Sequence, residues 1–238
     1  MPKPAVLTTS KPAVPRQSSA HGLGLDSQAV RLRMVQKLAD QGVSDARVLS
    51  AMGTIERHRF VDSALVNQAY EDTSLPIGLG QTISKPGVVS RMLELLLNGQ
   101  TNPIGRVLEI GTGCGYQAAV LSLLCKEVYS IERLRGLHDK ARENLRPFRL
   151  PNVHLLFGDG MEGYAKGAPY AGIIAAAGGE AVPQNWLDQL AVGGRLVAPV
   201  AASGGKKQAL MVIDKTDKGL HQMVLESVHF VPLKSGIA

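Results

Sequence analysis

Apolar residues keep helical spacing through residues 28–53, lose all period through 70–84, and after residue 86 alternate between helical faces and short unbroken runs. Val30, Met34, Val35 and Leu38 share one helical face, which predicts a helix opening near Asp26 or Ser27 and stopping at Gly42. A second helix is expected from Ser44, with Val48, Leu49 and Met52 inward, ending at Gly53. Both read as cap helices in front of a larger unit. Lys85-Pro86 opens a third, whose face is Val88, Val89, Met92, Leu93 and Leu96 and whose end is Asn98-Gly99. Strands are expected at Val107–Ile110, Glu127–Ile131, Val153–Phe157, Tyr170–Ala176 and Arg195–Val200. Helices from Gln117, over Leu134–Arg146 and over Pro183–Leu190 fall between them. Gln208–Asp214 and Met223–Val231 then alternate like strands, with only a turn around Asp217-Lys218-Gly219 between them, so they pair antiparallel. The sum is an α/β fold: a mostly parallel seven-stranded sheet with helices on both faces and a C-terminal antiparallel hairpin.

Tyr70–Ser84 (YEDTSLPIGLGQTIS) breaks the pattern. Pro76, Gly78 and Gly80 argue against any regular element there. Leu75, Ile77, Leu79 and Ile83 make it too apolar for an idle surface loop, and long ordered loops of this kind usually carry function. Ser84 stands where a helix N-cap belongs, with Pro86 in the first turn. Capping alone explains a serine at this position.

Composition narrows the classes. Hydrophobic residues are 45% of the chain and aromatic ones 4%, so the core is aliphatic. The net charge is +6, but residues 1–25 contribute Lys3, Lys11 and Arg16 without an acid. The rest has no basic stripe with interleaved aromatics, which argues against nucleic-acid binding. Residues 1–25 are rich in Pro, Ser, Ala and Lys and lack the apolar run of a signal peptide; they read as a disordered tail before a single domain over 26–238. Within that domain, residues 26–100 hold the helices and the loop, and 101–238 the sheet. Cys114 and Cys125 have no metal-binding or disulfide spacing, so neither a zinc site nor a disulfide framework is expected, and a reducing cytoplasm fits. No apolar run reaches the roughly 18 residues needed to span a membrane.

Arg106–Gln117 (RVLEIGTGCGYQ) carries the chemistry. A buried strand runs into glycines at Gly111, Gly113 and Gly115 and then into a helix, the front half of a nucleotide-binding βαβ unit. Glycines allow close approach of a ligand to the main chain. A glycine-rich turn alone is also compatible with a tight strand–helix connection and no ligand. Tyr116 replaces the third glycine of the dinucleotide fingerprint, and Glu109 precedes the turn. E-x-G-x-G-x-G is the form seen in S-adenosylmethionine (SAM) methyltransferases, where acidic and main-chain groups hold an amino-acid end. Glu132 lies about 20 residues beyond the turn, the offset at which an acid accepts bonds from ribose hydroxyls; the alternative is a solvated charge at a strand end. Asp159, between Gly158 and Gly160, is either a turn residue or a ligand contact at the carboxyl edge of the sheet.

The chain resembles the protein-L-isoaspartate O-methyltransferases, a family with a Rossmann-like SAM methyltransferase fold. LPIGLGQTIS-KP (75–86), VLEIGTGCGYQAAVLS (107–122), VYSIER with FGDG (128–133, 157–160) and GGRLVAPV with VHFVPL (193–200, 228–233) carry the resemblance. The resemblance implies Ser84 beside the transferring methyl. It implies Gln81, Thr82 and Ile83 facing the substrate, Glu109 and the Gly111–Cys114–Gly115 turn with Gly113 holding SAM, Glu132 on the ribose, and Asp159-Gly160 on the adenine. It implies methylation of isoaspartyl α-carboxylates in damaged proteins and peptides, in a monomeric cytoplasmic enzyme with S-adenosylhomocysteine as by-product. Cys114, Ala171, Gly179 and Lys234 depart from the family's common residues. A SAM methyltransferase acting on a small molecule or RNA, and a non-catalytic nucleotide-binding homologue, are the alternatives.

Overall fold

A computed structural model describes residues 28–202 and 207–238. The expected tail over 1–25 and the helix onset at Asp26 or Ser27 lie outside these residues. In chain order the elements begin with α1 (Gln28–Asp40) and α2 (Ala46–Thr54), followed by two short 3-10 turns, Arg57–Phe60 and Ser63–Gln68. Then come β1 (Leu75–Gly78), β2 (Gln81–Ile83), α3 (Pro86–Leu97), β3 (Ile104–Ile110) and α4 (Tyr116–Ser122). They are followed by β4 (Cys125–Glu132), α5 (Arg135–Leu145), β5 (Val153–Phe157), β6 (Tyr170–Ala175) and α6 (Gln184–Gln189). β7 (Leu190–Ala201), β8 (Gln208–Thr216) and β9 (Gly219–Val228) complete the sheet.

The main sheet has the order β5-β4-β3-β6-β7-β8-β9. β3 to β7 are parallel, and β8 and β9 add antiparallel at one edge. The seven strands and the terminal hairpin are those the residue pattern predicts. β7 begins at Leu190, earlier than expected, because Leu190 already pairs with Tyr170; an irregularity before the Gly172–Arg195 pair absorbs Gly193 and Gly194.

The central strands read as continuous apolar runs because both faces are covered, and successive side chains go to opposite sides. Val107, Ile174, Val197 and Val212 join the apolar cluster that also holds Met34, Val48, Leu93 and Val120. Their neighbours Leu108, Ile173, Leu196 and Ile213 join a second cluster around Trp186. The parallel arrangement brings the carboxyl ends of β3, β4, β5 and β6 to one edge, where the glycine turn and its neighbours lie.

Two local expectations need correction. Residues 75–83 are not irregular: β1 and β2 form an antiparallel ribbon, Leu75 opposite Ile83 and Gly78 opposite Gln81. The two-residue connection has φ of 51° at Leu79 and 70° at Gly80, the left-handed pair that matches strand twist in a tight hairpin. Leu75, Ile77 and Ile83 are buried and anchor the ribbon, whereas Leu79 is exposed at its tip. Glycine and proline therefore mark a hairpin rather than a break.

The second correction concerns Ser84. The N-cap of α3 is Lys85, with extended φ and ψ and no side-chain capping bond. The donor expected to meet a cap, Gly87 N–H, instead bonds Asp72 Oδ1 at 2.7 Å. Asp72 reaches the helix start from the preceding loop, which leaves the Ser84 hydroxyl free of a capping duty. Asp72→Ala is expected to lower stability by about 1 kcal/mol through loss of that bond. Ser84→Ala should leave the unfolding midpoint within the error of a urea titration; a loss as large as that of Asp72→Ala would restore Ser84 as the cap.

Candidate active site

The glycine turn that follows β3 lies at the carboxyl edge of the sheet. Gly111 and Gly113 have φ of 89° and 57°, conformations that cost a side-chain-bearing residue energy. Gly111 N–H and Thr112 N–H both donate to the Ile131 carbonyl, at 2.9 and 3.1 Å, so the turn folds back against the end of β4. Gly113 N–H donates to Glu132 Oε2 at 2.8 Å, and Leu134 N–H donates to Glu132 Oε1 at 2.9 Å. Glu132 is 5% exposed and lines a cleft of about 220 Å³. Each of its oxygens has one main-chain donor and keeps capacity for another.

The ribbon forms the opposite wall of this cleft through Ile77, Leu79, Gln81 and Thr82, and Lys234 stands at its edge. Behind it lies a chamber of about 40 Å³, between Thr82, Ile83 and Ser84 on one side and Gly113, Cys114, Tyr116 and Gln117 on the other. A wider groove of about 960 Å³ approaches the ribbon from the far side, with Ser84 and Thr82 on its wall and Val228–Val231 along it. Thr82 borders all three spaces, and Ser84 borders both the groove and the chamber. No hydrogen bond engages the Ser84 hydroxyl among the described residues; its carbonyl accepts one from Arg57.

Not every residue singled out from the sequence reaches these spaces. Glu109 is fully buried beneath α4, on the Val107 face of β3, and lines neither cleft nor chamber. The Ser130 hydroxyl donates to its Oε2, and that hydroxyl is itself 2.6 Å from Thr112 Oγ1; among the described residues Glu109 Oε1 has no partner. A contact between Glu109 and an amino-acid end is thus not what the geometry offers. The residue supports the turn from behind. Gly115 also turns away: a Cβ there would meet Leu145 at 3.0 Å, so its glycine serves the packing of α4 on α5. Gly160 lines the cleft. Asp159 stands just outside it, with Oδ1 bonded by Met161 N–H at 2.8 Å and Oδ2 by Gly236 N–H at 2.5 Å. Ile83 points its bulk into the core as well as the chamber wall.

Electrostatics follow from burial. Desolvation pushes the Glu109 carboxyl up to about 8, against the bond from Ser130 and the nearby amide of Gln117, and the charge of Glu132 adds to the rise. Burial also pushes the Cys114 thiol up to about 11 and the Tyr116 phenol up to about 12. Cys114 is therefore a neutral thiol at pH 7 and no nucleophile.

Residues outside the sequence-derived set complete the walls. Leu134, Leu137 and Ala177 line the cleft, and Tyr116 and Gln117 the chamber. Their types give no chemical signal; only their position after a strand end marks them. Of the departures from the resembled family, Lys234 lines the cleft and Gly179 bridges to Val200. Ala171 lies against Gly105.

One family matches the chain over most of its length. The family model for protein-L-isoaspartate(D-aspartate) O-methyltransferases matches residues 29–238. A protein-L-isoaspartate O-methyltransferase of Methylibium petroleiphilum is 62% identical, over 93% of this chain and 83% of that protein. One from Leptothrix cholodnii is 56% identical, over 98% of this chain and 83% of that protein. A solved structure with the same enzyme name superposes with a TM-score of 0.78 at 29% identity, covering 87% of this chain and 67% of the other. A structure from Plasmodium falciparum, solved with S-adenosyl-L-homocysteine, has a TM-score of 0.76 at 23% identity over 86% of this chain and 98% of that one, and so shares the fold. Among the described residues no helix is long and apolar enough to cross a membrane.

The buried carboxyl gives a pH signature. Because burial holds the Glu109 proton up to about pH 8 in the folded chain, its stabilising share is complete below its ordinary value of 4.5 and is lost as pH rises to 8. Each pH unit in that window is worth about 1.4 kcal/mol at most. Glu109→Gln is expected to flatten this decline, so the stability difference between variant and parent grows in the variant's favour from pH 5 to pH 8. Urea titrations at the two pH values read it; parallel declines would place the ionised form in the folded state.

Proposed function

Because the chain belongs to the protein-L-isoaspartate(D-aspartate) O-methyltransferase family, we propose that it transfers a methyl group from SAM to the α-carboxylate of isoaspartyl residues in proteins and peptides. The observation that carries this reading is the meeting of the Thr82–Ser84 segment with the glycine turn at one small chamber. The residues present suit SAM. A Cβ on Gly113 would lie 3.2 Å from Ile77 Cδ1 and fill the gap between turn and ribbon. The half-buried space also offers an acid, Glu132, whose two oxygens can each take one more donor, as a vicinal diol requires.

In this reading Gly111 and Gly113 hold the amino-acid end through the main chain, with Cys114 contributing backbone rather than thiol. Glu132 accepts from the ribose, and Gly160 with Asp159 bounds the adenine. SAM supplies an electrophilic methyl on a positively charged sulfur. The acceptor needs no general base from the protein, since a carboxylate with pKa near 4 is already ionised at pH 7. The chain's task is alignment and exclusion of water. The Ser84 hydroxyl, free of a cap, is available to donate to one carboxylate oxygen and aim the other. Gln81 and Thr82 bound the substrate side, and the anchored ribbon keeps the chamber dry, which favours a step in which opposite charges cancel. The methyl ester then closes to a succinimide with loss of methanol, without help from the enzyme, and hydrolysis returns part of the product as normal aspartate. The wide groove along Val228–Val231 suits an extended segment of the damaged protein.

The same reading takes residues 26–238 as one domain, supported by a single apolar cluster that joins Met34 of α1 to Val212 of β8. It takes the enzyme as a cytoplasmic monomer that binds no nucleic acid; two buried free cysteines suit a reducing compartment.

Methyl transfer from labelled SAM is expected to an isoaspartyl peptide and not to its aspartyl twin; equal labelling of the two, or labelling of RNA instead, overturns the reading. Ser84→Ala should lower kcat tenfold to a hundredfold, about 1.4–2.8 kcal/mol of barrier, without abolishing transfer. An unchanged kcat would remove Ser84 from the site. Glu132→Ala should weaken S-adenosylhomocysteine binding by about 1–3 kcal/mol in calorimetry; full affinity in a folded variant would return Glu132 to a purely structural role.

A further inference from the structure

Among the described residues, Arg57 is a fully buried guanidinium without an acidic partner. It lies in the short 3-10 turn after α2 and is 0% exposed. Its Nε donates to the Ala69 carbonyl and its Nη2 to the Ser84 carbonyl, each at 2.8 Å. Its Cζ stands 4.8 Å from the centroid of the Tyr116 ring. Nη1 is buried with no hydrogen-bond partner, and no salt bridge reaches this residue among the described ones. Asp72, the acid in its field, is engaged with Gly87 N–H and Lys85. A buried cation held only by two carbonyls and an aromatic face is expensive, and so is its unmatched donor. Arginine is also the side chain whose planar fork can span two carbonyls while lying on a ring.

The three groups it grips are not random. Ala69 precedes the ribbon, Ser84 ends it, and Tyr116 opens α4 directly after the glycine turn. Ser84 and Tyr116 face each other across the small chamber. Phe60, from the same 3-10 turn, packs edge-on against Tyr116 with centroids 5.5 Å apart, so the ring cannot drift from the guanidinium. Arg57 is thus a strut that sets the width of the chamber from outside it.

We propose that Arg57 is a positioning residue for methyl transfer: it fixes Ser84 against Tyr116, and its uncompensated charge behind Ser84 draws a carboxylate acceptor into the chamber. The fixed width serves the rate, because alignment of two bound reactants is sensitive to shifts of about 1 Å. The charge serves binding of the acceptor. Because carboxylate charge is lost during transfer, a nearby cation holds the acceptor more strongly on binding than at the transition state, so the charge acts on KM while the fixed width acts on kcat.

The inference rests on the proposed activity, and transfer by the parent enzyme to isoaspartyl peptide is the control: if the parent transfers nothing, the failure belongs to that activity. With the parent active, two variants test Arg57. Arg57→Lys keeps the charge and loses the fork; Arg57→Met keeps length and loses both. Calorimetry with S-adenosylhomocysteine gives the fraction of folded, binding-competent protein and its affinity, expected within twofold of the parent in both. Per competent molecule, kcat is expected to fall at least tenfold in both variants. KM for the peptide should stay within about threefold in Arg57→Lys and rise at least tenfold in Arg57→Met. A lowered melting temperature with parental kcat in Arg57→Lys overturns the proposal and leaves Arg57 as a structural arginine. Equal KM values in the two variants overturn the charge component. A parallel loss of S-adenosylhomocysteine affinity overturns it in favour of support to the cofactor side. Should Arg57→Met fail to fold, Arg57→Lys with Arg57→Gln, an uncharged residue with a donor, decides the same question.

Discussion

The bond from Gly113 N–H to Glu132 is the constraint on which the site depends. A turn with left-handed residues at 111 and 113 leaves main-chain donors without the helix or sheet partners they would otherwise have. β3 and β4 are parallel and in register, so the end of β4 comes level with the end of β3, with Ile131 beside Ile110. Ile131 supplies a carbonyl to the first two amides of the turn, and Glu132, the next residue, supplies a carboxylate to the third. The other oxygen of the same side chain takes Leu134 N–H and fixes the chain entering α5. One acid thereby sets the path of the chain on both sides of the cleft. The same side chain lines the cleft, so the path of the chain and the surface of the cleft are set by one group.

Beneath the turn lies a second acid in different surroundings. Glu109 is cut off from water by α4, and its neighbours are hydroxyls and an amide rather than cations. A carboxyl placed so keeps its proton. By accepting from the Ser130 hydroxyl, which also meets Thr112, a neutral carboxyl links β3, β4 and the turn without placing a second negative charge behind Glu132. The two strand-end acids differ in surroundings: Glu132 faces the cleft, whereas Glu109 faces a helix.

Most of the architecture was legible because its causes are local or periodic. Continuous apolar runs separated by helical faces can only be a doubly covered parallel sheet, and two alternating runs without a helix between them can only be a hairpin. What the sequence hid depended on partners far away along the chain. Ser84 carried every local mark of an N-cap, but the capping acceptor comes from Asp72, 15 residues from its donor at Gly87. Gly78 and Gly80 looked like breakers, and the pairing of Leu75 with Ile83 turned them into a hairpin. Glu109 fitted a motif whose sequence form cannot say which face of the strand is under a helix. Arg57 gave no signal at all, since an arginine between Glu56 and His58 reads as part of a solvated run. Its burial becomes visible only when Ala69, Ser84 and Tyr116 are brought around it.

These residues share a logic that follows from the proposed chemistry. Both reactants arrive already activated, one as an ionised carboxylate and the other as a sulfonium, so the protein has no difficult proton to move. Neutral Cys114, Tyr116 and Glu109 around the turn fit a site built to avoid competing nucleophiles and bases. What remains is geometry, and geometry requires walls that do not yield. The ribbon is pinned inward by Leu75, Ile77 and Ile83, and the Ser84 end is pinned by a guanidinium that the core holds at a cost. The exposed Leu79 tip carries the residual strain of a left-handed, non-glycine residue. Rigidity is thus concentrated at the chamber, and the strained tip lies at the cleft mouth, where a reactant must enter and leave.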